Sequence, residues 1–238
     1  MINAAKVVGK EFSELNIVLI GAGAANTCVA KMLIKAGAEP GNLIMVDSKG
    51  TLHKGRADIE AQKEEYKQKW EICLTTNSRQ VKGSAAEALH GADAVVALSK
   101  PGPGTIPAAW IKNMAPAAII FACANPTPEI WPWEAKQAGA KIVATGRSDF
   151  PNQVNNSLIF PGLFRGVLDV RARTISDEMC IAAAKALAGY AEAQGTLSGD
   201  SILPTMDELE VFAAVAAAVG TKAIDQGVAG INMTYDEL

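Results

Sequence analysis

Five residues between a strand and a helix carry the first chemistry that can be read from this chain. Ile17-Val18-Leu19-Ile20 is an apolar, partly β-branched run. Gly21-Ala22-Gly23-Ala24-Ala25-Asn26 follows at once, and helix formers continue to Ile34. A buried strand, a glycine turn and a helix start in that order leave unpaired backbone N–H groups at the positive end of a helix dipole. Phosphate binds there. Gly21 permits the tight turn, Gly23 lets the backbone approach a pyrophosphate, and Ala24 and Ala25 stand in the first helical turn. Asn26 occupies the place of a third glycine. It is expected to tighten no helix–strand contact, and its amide could face the phosphates or cap the helix. An ordinary βα turn is the plainer use of the same residues.

Asp47 ends the next apolar run, Leu43-Ile44-Met45-Val46, with Ser48 beside it. A carboxylate at that place accepts hydrogen bonds from adenosine ribose hydroxyls and repels a 2′-phosphate, which favours NAD over NADP. Lys49 and Arg56 are close enough in sequence to serve a phosphate instead. Asp47 could also simply cap the turn Ser48-Lys49-Gly50. Farther on, Ala94–Leu98 runs into Ser99-Lys100-Pro101-Gly102-Pro103-Gly104. Ligands of open α/β sheets bind at the carboxyl ends of strands, so Ser99 and Gly102 are expected near the nicotinamide ribose.

These loops need a frame that brings strand ends together. Ala118–Ala122 and Lys141–Thr145 are two more apolar runs. Helical stretches separate the strands: a charged one over Ala57–Trp70, then Ala85–Leu89, Pro107–Met114 and Trp131–Ala138. The alternation gives an α/β fold with a doubly wound parallel sheet of the Rossmann type. Residues 2–10 read as a helix end closed by Gly9, and Gly37 as the C-cap of the helix after the glycine turn. From Gly146 the pattern changes to the polar stretch Arg147–Asn156. Two alanine-rich helices close the chain, about Ser176–Gln194 and Asp207–Asp225, with Ser176 and Asp207 as start residues and a linker over Gly195–Pro204.

Composition narrows the function classes. The chain has 238 residues, 49% of them hydrophobic and 20% charged, with a net charge of −3. That balance argues against a nucleic-acid groove, which needs a basic surface. No apolar run reaches the roughly 20 residues of a membrane span. Met1–Glu11 has no apolar core of a signal peptide. Cys28, Cys73, Cys123 and Cys180 are scattered, as suits a reducing cytoplasm or organelle matrix, and the cytoplasm is the expected location; His53 and His90 stand apart from any metal-ligand cluster.

Taken together, the loops resemble the C-terminal, NAD(P)-binding domain of malic enzyme, in its shorter bacterial-type branch. The carriers are Gly-Ala-Gly-Ala-Ala at 21–25, Val-Asp-Ser-Lys-Gly at 46–50 and Ala-Asn-Pro-Thr-Pro-Glu at 124–129. The most specific are Arg-Ser-Asp-Phe-Pro-Asn-Gln-Val-Asn-Asn at 147–156 and Phe-Pro-Gly-Leu-Phe-Arg-Gly-Val-Leu-Asp-Val-Arg-Ala at 160–172. The resemblance runs from about Ile2 to Gly230. It implies one NAD(P)-binding domain over 1–238, with a Rossmann core at about 16–165 and C-terminal helices over 166–238. It also implies oxidative decarboxylation of L-malate to pyruvate and CO2, with NAD (or NADP) as hydride acceptor and Mg²⁺ or Mn²⁺ as electron sink.

Residue roles follow from the same resemblance. Asn125, Asn155 and Asn156 are implied to bind substrate, Asn125 and Asn155 also the cofactor. An amide suits the task because it grips a carboxylate or carboxamide without adding charge. In this family the catalytic lysine and tyrosine and the metal carboxylates precede this domain, and none of those motifs is present here. The expectation is that the substrate and metal domain is absent from this chain, which alone binds NAD weakly and does not turn over malate. Lys100, Asp149 and Arg165 are not adopted as base, metal ligand and clamp. Arg165 and Asp169 read as a helical pair four apart. The family precedent is a homo-oligomer, a dimer or higher, in the full-length enzyme. Two other readings stay open: a non-catalytic NAD-binding or redox-sensing module, and malolactic chemistry on the same scaffold.

Overall fold

The computed structural model describes residues 1–237, apart from the side chain of Asp236. The chain forms two compact units: one is Ala4–Pro151, and the other runs from Asn152 onward with Met1–Asn3. A short helix, α1 (Ile2–Val7), opens the chain.

The first unit is built on strands β1 (Ile17–Ile20), β2 (Leu43–Asp47), β3 (Gly50–Thr51), β4 (Ala94–Ala97), β5 (Ile119–Ala122) and β6 (Ile142–Thr145). They lie in the order β3-β2-β1-β4-β5-β6. Five are parallel, in unbroken register from Ile17↔Leu43 on one side of β1 and Ile17↔Ala94 on the other. The two-residue β3 is antiparallel to β2 and escaped the sequence reading, because a pair so short leaves no apolar pattern. β1, β4, β5 and β6 are buried at every position, which is why they read as continuous apolar runs and not as alternation. The helices of this unit are α2 (Ala24–Ala36), α3 (Ala57–Glu60), α4 (Lys67–Thr75), α5 (Ala85–Leu89), α6 (Ala108–Ile111) and α7 (Pro132–Gln137). Val18, Ile20, Ile44, Val95 and Ile120 pack with Leu89, Ile111 and Ile130 in one core cluster. At the end of α2, Gly37 takes φ 114° and donates to Ile34 O, while Ala38 donates to Leu33 O, the expected left-handed cap.

The charged run over Ala57–Trp70 is not one helix. It breaks into α3 and α4 with turns between, and only Ile59 of the first piece is buried. A stretch with no apolar face to bury has propensity alone to hold it, and that is too little in water.

The second unit holds α8 (Phe160–Asp169), α9 (Asp177–Ala193) and α10 (Glu210–Asp225) around Leu163, Met179, Val211, Val215 and Val219. Ser176 caps α9 as expected, its Oγ accepting Met179 N–H at 3.1 Å. Asp207 does not cap α10, which begins three residues later. The Glu208 carboxylate closes back on Thr205 N–H at 2.7 Å, so a turn precedes the helix. Asn152 tethers the start of this unit by donating to Gly199 O and accepting from Ile202 N–H.

Candidate functional site

A cleft of about 480 Å³ opens at the carboxyl ends of β1, β2 and β4. β1 has β2 on one side and β4 on the other, so this is where the strand order reverses. Such a switch point is the ligand crevice of open α/β sheets. Gly21 and Ala22 line it from β1, Asp47 and Ser48 from β2, Ser99 and Lys100 from β4, and Lys69 from α4.

Gly21 has φ +101° and donates to Val46 O at 2.9 Å, which draws the turn against β2. A Cβ there would sit 2.5 Å from Leu98 O, so no other residue fits. Gly23, the residue before α2, has an ordinary φ of −85° and caps the helix with no side chain. A Cβ on it would meet nothing within 4 Å. Ala24 and Ala25 are exposed beside it. An uncapped helix start under open space is a cradle that fits a pyrophosphate.

Asn26 behaves otherwise than its sequence position suggests. It is 0% exposed, and its Nδ2 donates to Ile20 O at 2.8 Å and Gly21 O at 2.9 Å. The amide therefore ties helix to strand end by hydrogen bonds, where a glycine would do so by close approach. Its buried Oδ1 makes no hydrogen bond among the described residues. The expectation that it tightens no helix–strand contact is corrected.

Asp47 is the most heavily bonded carboxylate of the cleft. Oδ1 accepts from Lys49 N–H at 2.9 Å and Arg56 Nη1 at 3.1 Å; Oδ2 accepts from Arg56 Nη2 at 2.9 Å and Lys69 Nζ at 2.5 Å. It does cap the turn, as the plainer reading held, and it anchors two cations besides. Burial alone would raise its pKa, but Arg56, Lys69 and the Lys49 N–H outweigh burial and hold it below the usual carboxylate range. Arg56 also grips Asp58 through Nε and Nη2, at 2.8 and 2.9 Å. Lys69 belongs to the charged run over Ala57–Trp70 and reaches the cleft from α4.

On the β4 side, Ser99 donates through N–H and Oγ to Glu129 Oε1 at 3.0 and 3.2 Å. Glu129 Oε2 accepts from Ala124 N–H at 3.0 Å, and Glu129 is 0% exposed. This buried carboxylate joins the loops after β4 and β5, and sequence reading passed over it. Burial, and then the Glu129 charge, push the neighbouring Cys123 thiol up to about 12. Gly102, with φ +122°, donates to Thr127 O at 3.3 Å. That bond brings Gly102 to the loop that carries the exposed Asn125, though neither residue lines the cleft itself.

Asn155 and Asn156 lie in the second unit. Asn155 Oδ1 accepts Ser157 N–H at 3.0 Å and so caps a short 3₁₀ turn, while Asn156 is exposed. Asp149 is taken by Arg147 in a two-bond pair at 2.8 and 2.7 Å. Arg165 pairs with Asp169 at 2.7 Å, four residues on. Among the described residues no group of three or more His, Cys, Asp or Glu could hold a metal ion. No helix of the described residues is long and apolar enough to cross a membrane.

Residues 1–224 match the family described as malic enzyme, NAD binding domain. A bifunctional malic/malolactic enzyme of Bacillus subtilis (strain 168) is 41% identical over 242 residues, covering 100% of this chain and 56% of that protein. An NADP-dependent malic enzyme of Halomonas elongata is also 41% identical, covering 96% of this chain and 55% of its own length. The crystal structure of Entamoeba histolytica malic enzyme superposes with a TM-score of 0.94 at 52% identity, covering 99% of this chain and 48% of that one. The chain spans about half the length of the relatives it matches.

Proposed function

We propose, from the premise that this chain belongs to the malic enzyme NAD-binding domain family, that it supplies the dinucleotide site for the oxidative decarboxylation of L-malate to pyruvate and CO2. The observation that carries the reading is the uncapped start of α2 under open space at Gly23, set in the crevice where the strand order reverses. Both units are read as one dinucleotide-binding domain, in keeping with a family match that runs through each of them.

The roles follow from the chemistry of the side chains. N–H groups of Gly23, Ala24 and Ala25 would hold the pyrophosphate at the positive end of α2. Asp47 and Ser48 stand at the adenosine end of the cleft, and Ser99 and Gly102 would face the nicotinamide ribose. Glu129 fixes Ser99 from behind, so its hydroxyl keeps acceptor lone pairs toward the cleft. Asn125 in the first unit, and Asn155 and Asn156 in the second, each carry an amide suited to a carboxylate or carboxamide, and the family resemblance assigns them malate and the nicotinamide. When bound, NAD(P) would supply the hydride acceptor for the hydroxyl carbon of malate.

The family resemblance assigns Mg²⁺ or Mn²⁺, with the catalytic lysine and tyrosine, to residues outside those described. A cytoplasmic location suits four scattered cysteines, and a dimer follows from the family resemblance. NADH titration of the 238-residue chain should give saturable binding, and malate with NAD(P) and Mn²⁺ should give no reduced cofactor. Malate-dependent NAD(P)H formation by this chain would overturn the division of labour.

A further inference from the structure

Charge at the adenosine end of the cleft exceeds what a plain ribose needs. An acid at the end of the second strand serves a ribose by accepting from its hydroxyls, and for that it needs free lone pairs. A carboxylate has about four such sites. Those of Asp47 are filled by two Arg56 nitrogens, Lys69 Nζ and Lys49 N–H, and its side chain is 8% exposed. Two cations neutralise it, so its repulsion toward an incoming anion is cancelled. Asp58 is likewise paired with Arg56 and Lys49. Three cations then face two carboxylates, which leaves one positive charge over. Lys69 is where that charge meets the cleft: its side chain is 25% exposed, and one of its three N–H donors goes to Asp47. The exposed Ser48 lines the same wall.

We infer that this end of the cleft recognises a phosphate on the ribose 2′-oxygen, with Lys69 and Ser48 as its recognition pair, so that the chain prefers NADP to NAD. The inference rests on the dinucleotide reading of the cleft. Asp47 here is a positioning residue: it holds the Lys69 ammonium at the mouth of the site in place of binding the ribose. An ammonium that neutralises a phosphate dianion forms a charge-assisted hydrogen bond, and a hydroxyl beside it adds a second donor.

NADH and NADPH differ only in the 2′-phosphate, and titration of the chain with each, followed by nucleotide fluorescence, separates the outcomes. NADPH should bind about tenfold or more tightly than NADH, the worth of one charge-assisted bond. Raising the salt concentration should narrow the gap. Lys69→Gln should erase the preference by weakening NADPH with NADH affinity kept, and Lys69→Arg should restore most of it. Because Asp47 loses a partner, Lys69→Gln should also melt at a lower temperature, and affinities are compared on the folded protein. Equal affinities in the unaltered chain, or a Lys69→Gln variant that weakens both nucleotides alike, would overturn the inference while the dinucleotide site stands. Binding of neither nucleotide would remove the site itself, and the inference with it.

Discussion

Both N–H groups of the Asn26 amide go to carbonyls of the preceding strand and turn, so its contribution is to the shape of the phosphate loop. Asn26→Gly should therefore cost about 1–3 kcal/mol of stability, from two lost hydrogen bonds and glycine in a first helical turn. Its NADH affinity should change by less than about threefold, well under the tenfold that 1.4 kcal/mol of lost binding would bring. A large loss of affinity without loss of stability would place the amide on the phosphates instead. Gly21 was legible in the sequence because it has a conformational reason, a positive φ and no room for a Cβ, whereas Gly23 has an ordinary φ in open space and was legible only by its place before the helix. The role of Asn26 was not legible. An amide can serve backbone or ligand equally well, and only its buried direction decides. Glu129 was hidden for a similar reason, since its partners Ser99 and Ala124 are brought to it by β4 and β5.

Elements were read best where burial alone shapes them. The five parallel strands are apolar up to their last residue because both faces are covered, and that pattern survives in sequence. Surface helices were read less well: Ala57–Trp70 has helix formers throughout but lacks the apolar stripe that would hold it together. The contact between α8 and α10 was also invisible, since it is made by what is missing. A Cβ on Gly162 would stand 2.7 Å from Phe212 O and from the Val215 side chain, and one on Gly166 would run into Ala216 O. These glycines, four apart on one face of α8, let two helix backbones approach. Gly166→Ala should cost about 1–3 kcal/mol, the usual toll of overpacking, and Gly162→Ala a similar amount. Thermal melts would measure it, with NADH affinity unchanged if the effect stays within the second unit. A Gly166→Ala variant as stable as the unaltered chain would contradict the close packing.

At the scale of the whole molecule, two carboxylates tie stability to pH. Asp93 is bound by Lys10 Nζ and by Asn16, as Asp47 is by Arg56 and Lys69. Burial works against both, but these donors outweigh it and leave each pKa below its ordinary value. The folded chain thus binds fewer protons than the unfolded one in acid. The stability these two groups add is fully present above the unfolded value of about 3.9, and it falls as pH drops through their lowered folded values. Melting temperatures should be level between pH 5 and 7 as far as these groups act, and should drop below about pH 4. Asp93→Asn should flatten part of that acid limb.

The central claim is that the open start of α2 receives a dinucleotide pyrophosphate, and Gly23→Asp tests it most directly. Gly23 has an ordinary φ of −85° with no atom within 4 Å of an added Cβ, so aspartate fits without strain. It is also a favoured N-cap, which should hold or raise the melting temperature. Its carboxylate would occupy the phosphate cradle and repel the ligand. The account predicts a folded protein whose affinity for NADH and NADPH falls about a hundredfold or more, equivalent to about 2.7 kcal/mol. An equally stable Gly23→Asp protein that binds both nucleotides as tightly as the unaltered chain would contradict it.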